Sequence, residues 1–253
     1  MATFSRGNNA TSASIDTSYI YATGAFKNVY KGEYIKGERA GQECVCKIFK
    51  SGSVFEESFF RVELEVVAKT LEIVKRFNKC KLVDKPIWLN QPGIWTAVQP
   101  GSSREGEKAL VEPMISNFEK FNSNTGWTPD KTSAWVDVMQ ALSHYSYYTS
   151  NRNMLVCDLQ GGIYRDGFVI TDPVVMSKSR EYGPTDLGPD GIATFFAHHK
   201  CSKYCRPNWM TPSDKNVYFK IQKGSAMALP TRQSRAPLTQ LLGNLSIQEE
   251  EEE

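Results

Sequence analysis

His199-Lys200-Cys201-Ser202-Lys203-Tyr204-Cys205 places one imidazole and two thiols within seven residues of a chain that has only three histidines. A structural Zn²⁺ takes four nitrogen or sulfur ligands in a closed tetrahedron, so this cluster needs one more. His198 is adjacent to His199, and neighbouring side chains project in different directions. His144 lies in the helical-looking stretch Val136-Asp137-Val138-Met139-Gln140-Ala141-Leu142-Ser143-His144 and can be delivered by folding, so it is the expected fourth ligand. Two buried cysteines beside a surface histidine is the plainer alternative. The histidine two residues ahead of Cys-x₃-Cys favours the metal.

Outward from that cluster, the composition is that of a globular chain. Its 253 residues are 40% hydrophobic and 23% charged, enough for one large domain or two small lobes. The formal net charge is +2, but Glu249–Glu253 masks a surplus of +7 over residues 1–248. Such a surplus suits a phosphate-rich ligand or an acidic partner without requiring either. The polar N-terminus lacks the basic-then-apolar run of a secretory signal, so the six cysteines are expected as free thiols in a reducing, cytoplasmic setting. No apolar stretch approaches the ~20 residues of a membrane helix, and no membrane partner is expected.

The pattern along the chain predicts disorder over 1–17, which is rich in Ser, Thr and Asn. Strands follow at Tyr19-Ile20-Tyr21, Asn28-Val29-Tyr30 and Cys44-Val45-Cys46-Lys47-Ile48-Phe49. Helical spacing runs from Phe59 to Phe77. Residues 85–89 and 93–98 read as a strand pair bridged by Asn90-Gln91-Pro92. Residues 129–149 read as a long helix, and 153–172 as a hairpin turning near Gly161-Gly162. Residues 224–253 are expected to form a flexible acidic tail.

Two apolar runs end in carboxylates: Met154-Leu155-Val156-Cys157-Asp158-Leu159-Gln160-Gly161-Gly162 and Phe168-Val169-Ile170-Thr171-Asp172-Pro173. If the runs pair, Asp158 and Asp172 emerge together, and with the Gln160 amide oxygen they form the hard oxygen environment that Mg²⁺ prefers. Turn capping by each Asp alone is the competing explanation. Lys47 sits in a strand that is apolar on both faces. It either snorkels to solvent or projects into a cleft to hold phosphate oxygens. The turn Ala22-Thr23-Gly24-Ala25-Phe26-Lys27-Asn28 could lie over phosphates, although it has one glycine only.

Across about residues 18–222 these parts resemble the alpha-kinases, the atypical protein kinases that include the myosin heavy chain kinases, elongation-factor kinase and the channel-kinases. The resemblance rests on Glu112-Pro113-Met114, residues 118–126, Gln140-Ala141-Leu142-Ser143-His144, Cys157-Asp158-Leu159-Gln160-Gly161, Thr171-Asp172-Pro173, Thr185-Asp186-Leu187-Gly188 and the His199, Cys201, Cys205 cluster. It implies an α+β, two-lobed protein-kinase-like fold, with a β-rich N-lobe (about 18–112) and a mixed C-lobe (about 113–223) holding a structural zinc on His144, His199, Cys201 and Cys205.

The resemblance further implies that Lys47 holds the α/β-phosphates, near Gly24 of the phosphate loop. Glu112 and Met114 would offer backbone groups to adenine, and Lys120 and Asn124 would assist at the phosphates and ribose. Asp158 would serve as the catalytic carboxylate, with Gln160 and Asp172 as Mg²⁺ (or Mn²⁺) ligands. Gly188 and Gly191 fall where the family has a glycine-containing loop near the protein substrate. The phosphate loop here is glycine-poor. No N-lobe arginine matches the one that many members carry, and Lys27 is the substitute on offer. Glu63 or Glu65 would orient Lys47.

The implied function is ATP-dependent phosphorylation of Ser/Thr, Thr preferred, on protein substrates. A silent kinase-like scaffold is opposed by the presence of Lys47, Asp158, Gln160 and Asp172. A zinc-containing nucleic-acid-binding module is disfavoured because Lys and Arg are scattered rather than clustered with aromatics.

Overall fold

The computed structural model describes residues 1–6, 11–130 and 133–227. The N-terminal half is built around one seven-stranded antiparallel sheet. Its strands are β1 (Ala2–Arg6), β2 (Thr11–Ile15), β3 (Ala22–Thr23), β4 (Lys27–Lys36), β5 (Glu43–Phe49), β7 (Gly93–Ala97) and β8 (Lys108–Pro113), in the order β2-β1-β7-β8-β5-β4-β3. A further pairing of β2 with β4 closes the sheet on itself, which removes its long edges. Closure demands a close approach at Gly32, where a Cβ would lie 2.4 Å from the Ser14 carbonyl oxygen.

This closure corrects the expected disorder at the described residues of 1–17, namely 1–6 and 11–17. Phe4, Ala13 and Ile15 are fully buried against Tyr30, Tyr34, Cys46 and Trp95. Their alternation with Ser and Thr gives the segment a buried face despite its polar composition. Tyr19-Ile20-Tyr21, expected as a strand, is an exposed connection ahead of the short β3, with the Tyr21 N–H donating to the Val29 carbonyl.

A one-turn 3₁₀ segment (Glu57–Phe60) leads into α1 (Arg61–Lys79), which buries Val66, Ile73, Val74 and Phe77 at helical spacing. β6 (Ile87–Leu89) then leaves the N-terminal sheet and runs parallel to β12 (Gly167–Thr171) in a second sheet ordered β6-β12-β11-β9, with β9 (Phe118–Lys120) and β11 (Gln160–Tyr164). The expected pairing of 85–89 with 93–98 therefore does not form. Asn90 separates the two, its N–H donating to Ile170 and its side chain to the Pro113 carbonyl.

α2 (Ala134–Thr149) starts at Ser133, whose hydroxyl accepts from the Val136 N–H, rather than at Pro129. It packs on the pair β10 (Met154–Cys157) and β13 (Val174–Ser177); α3 (Gly188–His198) lies against β13. The expected single hairpin over 153–172 is resolved into two strand pairs. β10 pairs with β13, and β11 with β12, the latter turning at Arg165-Asp166. Gly161-Gly162 lies inside β11 instead, because a Cβ on Gly161 would overlap the Val169 carbonyl of β12.

Candidate functional site: a charged cleft and a Cys/His cluster

β5 lies between β4 and β8 and carries Lys47 to the floor of the sheet, where the residue is 6% exposed. Its Nζ is 2.6 Å from both carboxylate oxygens of Asp172 and 2.5 Å from Glu112 Oε1. The Thr171 hydroxyl lies 3.1 Å from each Glu112 oxygen. Burial opposes the charge on Lys47, but the Asp172 and Glu112 carboxylates outweigh it and hold the ammonium above its ordinary pKa. Burial pushes Glu112 upward, against the pull of Lys47. The Glu112 carboxylate is thus the buried acid partner of Lys47, a role that the sequence reading missed by assigning only its backbone.

Neither Glu63 nor Glu65 reaches Lys47, which corrects that expectation. Glu63 is paired with Lys27, and Glu65 with Arg61 at 3.4 Å. Lys27 stands 4.6 Å from the centroid of the Phe49 ring, and burial pulls its pKa down to about 8. Lys27 and Lys47 lie on the same face of the sheet, since Val29, two residues on from Lys27, stands opposite Lys47. Gly24 donates its N–H to the Lys27 carbonyl and closes the β3–β4 turn.

Asp158 and Asp172 occupy equivalent places, each in the short connection by which the chain passes from one strand pair to the other. Cys157 faces Val174 in the first pair and Gln160 faces Thr171 in the second. Both aspartates are in the left-handed region, at φ 58° and 46°, a conformation that Asp tolerates better than most residues. Asp158 is buried, with Lys120 Nζ 2.9 Å from its Oδ1 and the Ser225 hydroxyl donating to Oδ2 at 2.8 Å. Burial raises its pKa; Lys120 opposes the shift. The loop is held by Asn122, whose Oδ1 accepts from the Leu159 N–H at 2.8 Å. The Asp172 side chain is half exposed. Gln160 heads β11 opposite Thr171 and Lys120.

Four expected site residues have other engagements. Asn124 is fully buried, and its amide bonds both backbone groups of Ala226 and the Thr185 carbonyl. It positions backbone rather than facing a nucleotide. The Met114 N–H donates to the Glu43 carbonyl at 3.1 Å. Gly188 and Gly191 form the buried first turn of α3 rather than a loop, because Pro189 sits where its missing N–H costs nothing. A Cβ on Gly191 would meet Leu187 and Met176.

At the far end of the C-terminal half, α2 delivers His144 to the His199, Cys201 and Cys205 segment that follows α3. The four ligand atoms lie within 4.8 Å of one another. Cys201 Sγ is 3.6 Å from both His144 Nδ1 and His199 Nε2, and Cys205 Sγ is 3.9 Å from His199 Nε2. A tetrahedral zinc with ordinary bond lengths has nitrogen–sulfur edges of roughly 3.6 Å, so the donor set fits. His144 Nε2 lies 3.2 Å from the Met210 carbonyl, which leaves Nδ1 as the ligating nitrogen. Burial lowers the pKa of His144 and brings that of His199 down to about 4, keeping both imidazoles neutral as a metal requires. Phe196 and Trp209 wall the cluster.

Comparison with known proteins gives the same answer as the geometry. A family model described as the alpha-kinase family matches residues 22–205. Alpha-protein kinase 1 of Dictyostelium discoideum is 31% identical over 189 residues, covering 73% of this chain and 13% of that protein. Alpha-protein kinase vwkA of the same organism is 36% identical over 103 residues, 40% of this chain and 16% of that protein. The chain thus spans less than a fifth of the length of these relatives. In fold, it is similar to the alpha-kinase domain of myosin heavy chain kinase A in complex with AMP, with a TM-score of 0.64 at 22% identity over 77% of this chain and 89% of that one. An alpha kinase from Entamoeba histolytica matches with a TM-score of 0.65 at 20% identity, covering 86% and 85%. With the family match extending over most of its described residues, and with Lys47, Asp158 and Asp172 gathered at one cleft, this chain belongs to the alpha-kinase family.

Proposed function

We propose that the chain is an ATP-dependent protein kinase that transfers the γ-phosphate to Thr or Ser hydroxyls of protein substrates in the cytoplasm, and that residues 2–226 form its catalytic unit. The observation that carries this reading is the contact between Lys47 of the N-terminal sheet and Asp172 of the C-terminal half, 2.6 Å across the cleft, with the Asp158–Lys120 pair on the adjoining strand connection. Phosphoryl transfer asks mainly for positioning and charge neutralisation, and this set offers both.

Asp172 and Gln160 would hold Mg²⁺, which when bound neutralises charge on the β- and γ-phosphates. Asp172 suits that role because its carboxylate is half exposed, with Lys47 as its present counter-ion. On nucleotide binding, Lys47 would exchange Asp172 for the inner phosphate oxygens and keep Glu112 as its buried partner. Lys27 adds a second positive charge on the same face of the sheet. Asp158 would orient the acceptor hydroxyl and take its proton. Its raised pKa makes it a better base than a solvated carboxylate, and Lys120 steadies the charge. Lys120 would also approach the phosphates.

The Cys/His cluster lies outside this chemistry. Four protein donors leave a zinc no open position, so its contribution would be to join α2 to the segment after α3.

The direct test is transfer of labelled γ-phosphate from ATP to a basic threonine-containing peptide. The wild-type chain should transfer it and Asp172→Asn should not at low Mg²⁺. Equal transfer by both would refute the assignment.

A further inference from the structure

Beyond the core of the C-terminal half, residues 222–226 are strapped across the loop that follows β9. The Thr125 hydroxyl holds both backbone groups of Gln222, accepting from its N–H at 3.0 Å and donating to its carbonyl at 3.2 Å. Asn124 does the same for Ala226, at 2.8 and 2.9 Å. Ala226 is itself buried against Leu187, Ile192 and Phe195. Between these two clamps, Ser225 directs its hydroxyl onto Asp158 Oδ2 at 2.8 Å.

The clamps grip backbone, not side chains, so they set the register of the strap whatever residue stands at 225. That is how an extended peptide is held when one side chain must be presented to a reacting group. The residue presented here carries a hydroxyl, and its partner is the buried Asp158 carboxylate, at 2.8 Å.

We propose that Ser225 is an autophosphorylation site, modified by its own molecule, and that until it is modified the strap occupies the seat of an acceptor hydroxyl. The inference rests on the phosphotransferase reading of the cleft. In the step, Ser225 Oγ forms a bond to the γ-phosphorus of ATP while the bond from that phosphorus to the β–γ bridging oxygen breaks and ADP leaves. The hydroxyl proton passes to Asp158 and then to solvent. The product places a dianionic phosphate beside the Asp158 carboxylate. Like charges at that separation repel, so the modified strap leaves the seat and opens it to other substrates.

The purified full chain, incubated with Mg-ATP alongside a basic threonine-containing peptide as a separate acceptor, tests this by mass mapping of phosphate. Phosphoserine at 225 should accumulate towards one per chain, with a half-time that does not change on dilution. A mass-tagged Asp158→Asn chain mixed with active chain should remain unmodified at 225. Ser225→Ala should lose this phosphate and, with its strap still clamped in the seat, label the peptide at only a fraction of the wild-type rate, and Ser225→Thr should regain both. Phosphorylated peptide with Ser225 left free overturns the proposal, and so does a rate at 225 that rises with concentration together with modification of the tagged chain. If neither the peptide nor Ser225 takes up phosphate, the kinase reading itself fails and the proposal falls with it.

Discussion

The cleft and the Cys/His cluster are both made of titratable groups brought together from distant parts of the chain, yet they are opposite in construction. In the cleft, Lys47 answers Glu112 and Asp172, and Lys120 answers Asp158, so each charge already has a partner and a ligand must exchange with it. In the cluster, two neutral imidazoles and two thiols sit within a ring of aromatic side chains and have one another as polar neighbours. A cation completes the second and competes within the first. The cluster should therefore govern folding and the cleft should govern chemistry.

The largest effect is expected at the cluster. Structural zinc contributes an apparent free energy of about 10 kcal/mol or more in small domains. One zinc per chain should be measured in the purified protein, and Cys201→Ser or His144→Ala should lower the melting temperature by at least about 10 °C. Metal-free protein that melts cooperatively and is active would break the comparison from this side.

Next comes Lys47. Replacing it by Ala should cut phosphoryl transfer by about 10²- to 10³-fold, the usual cost of losing one fixed charge at a reacting group. Unlike a solvent-facing lysine, it also leaves Glu112 buried without its cation, which costs stability by up to about 3 kcal/mol. Adding Glu112→Gln to Lys47→Ala should recover most of that loss in a melting curve and none of the activity. A single variant with unchanged melting would show that Glu112 is not held by Lys47.

The two aspartates sharpen the comparison within the cleft. Asp172→Asn should weaken the apparent affinity for Mg²⁺ and be rescued in part by more Mg²⁺ or by Mn²⁺. Asp158→Asn should lose turnover at every metal concentration. Rate curves of the same shape, differing only in height, would remove the division of roles.

Asp158 also makes a prediction about pH. Its pKa in the folded chain is raised by burial, so the folded state binds that proton more tightly than the unfolded state. Its contribution to stability is full below the ordinary carboxylate range and is lost as pH rises through the raised value. Asp158→Asn should therefore raise the unfolding free energy at neutral pH, with the gain disappearing in acid. Asn suits the left-handed backbone there, at φ 58°. Activity of the wild-type chain should fall as pH drops through the same raised value.

The smallest effect belongs to neither region: Ser133→Ala, which removes the N-cap of α2, should cost about 1 kcal/mol and leave turnover per folded molecule unchanged.

What was legible in the sequence follows from how local each signal is. The spacing of Val66, Ile73, Val74 and Phe77 announces α1 because a helix writes its buried face within a few residues. The apolar runs ending in Asp158 and Asp172 announce the two carboxylates in the same way. Strand partners are different, since pairing depends on residues far away. Asn90-Gln91-Pro92 reads as a hairpin turn, yet the Asn90 contacts with Ile170 and Pro113 send the flanking strands to separate sheets. The Ser- and Thr-rich N-terminus hid Phe4 and Ile15, whose burial exists only once β2 closes onto β4. Likewise Glu112 and Ser225 became visible as partners of Lys47 and Asp158 only in three dimensions, 65 and 67 residues away along the chain.

The measurement that bears most directly on the account is phosphate transfer from labelled ATP, made on wild-type, Asp158→Asn and Cys201→Ser chains at equal concentrations of folded protein. Wild-type should label a threonine-containing peptide and Asp158→Asn should not. The folded fraction of Cys201→Ser should label it at close to the wild-type rate. Labelling by Asp158→Asn at the wild-type rate, or none by properly folded Cys201→Ser, would contradict the separation of chemistry from scaffold.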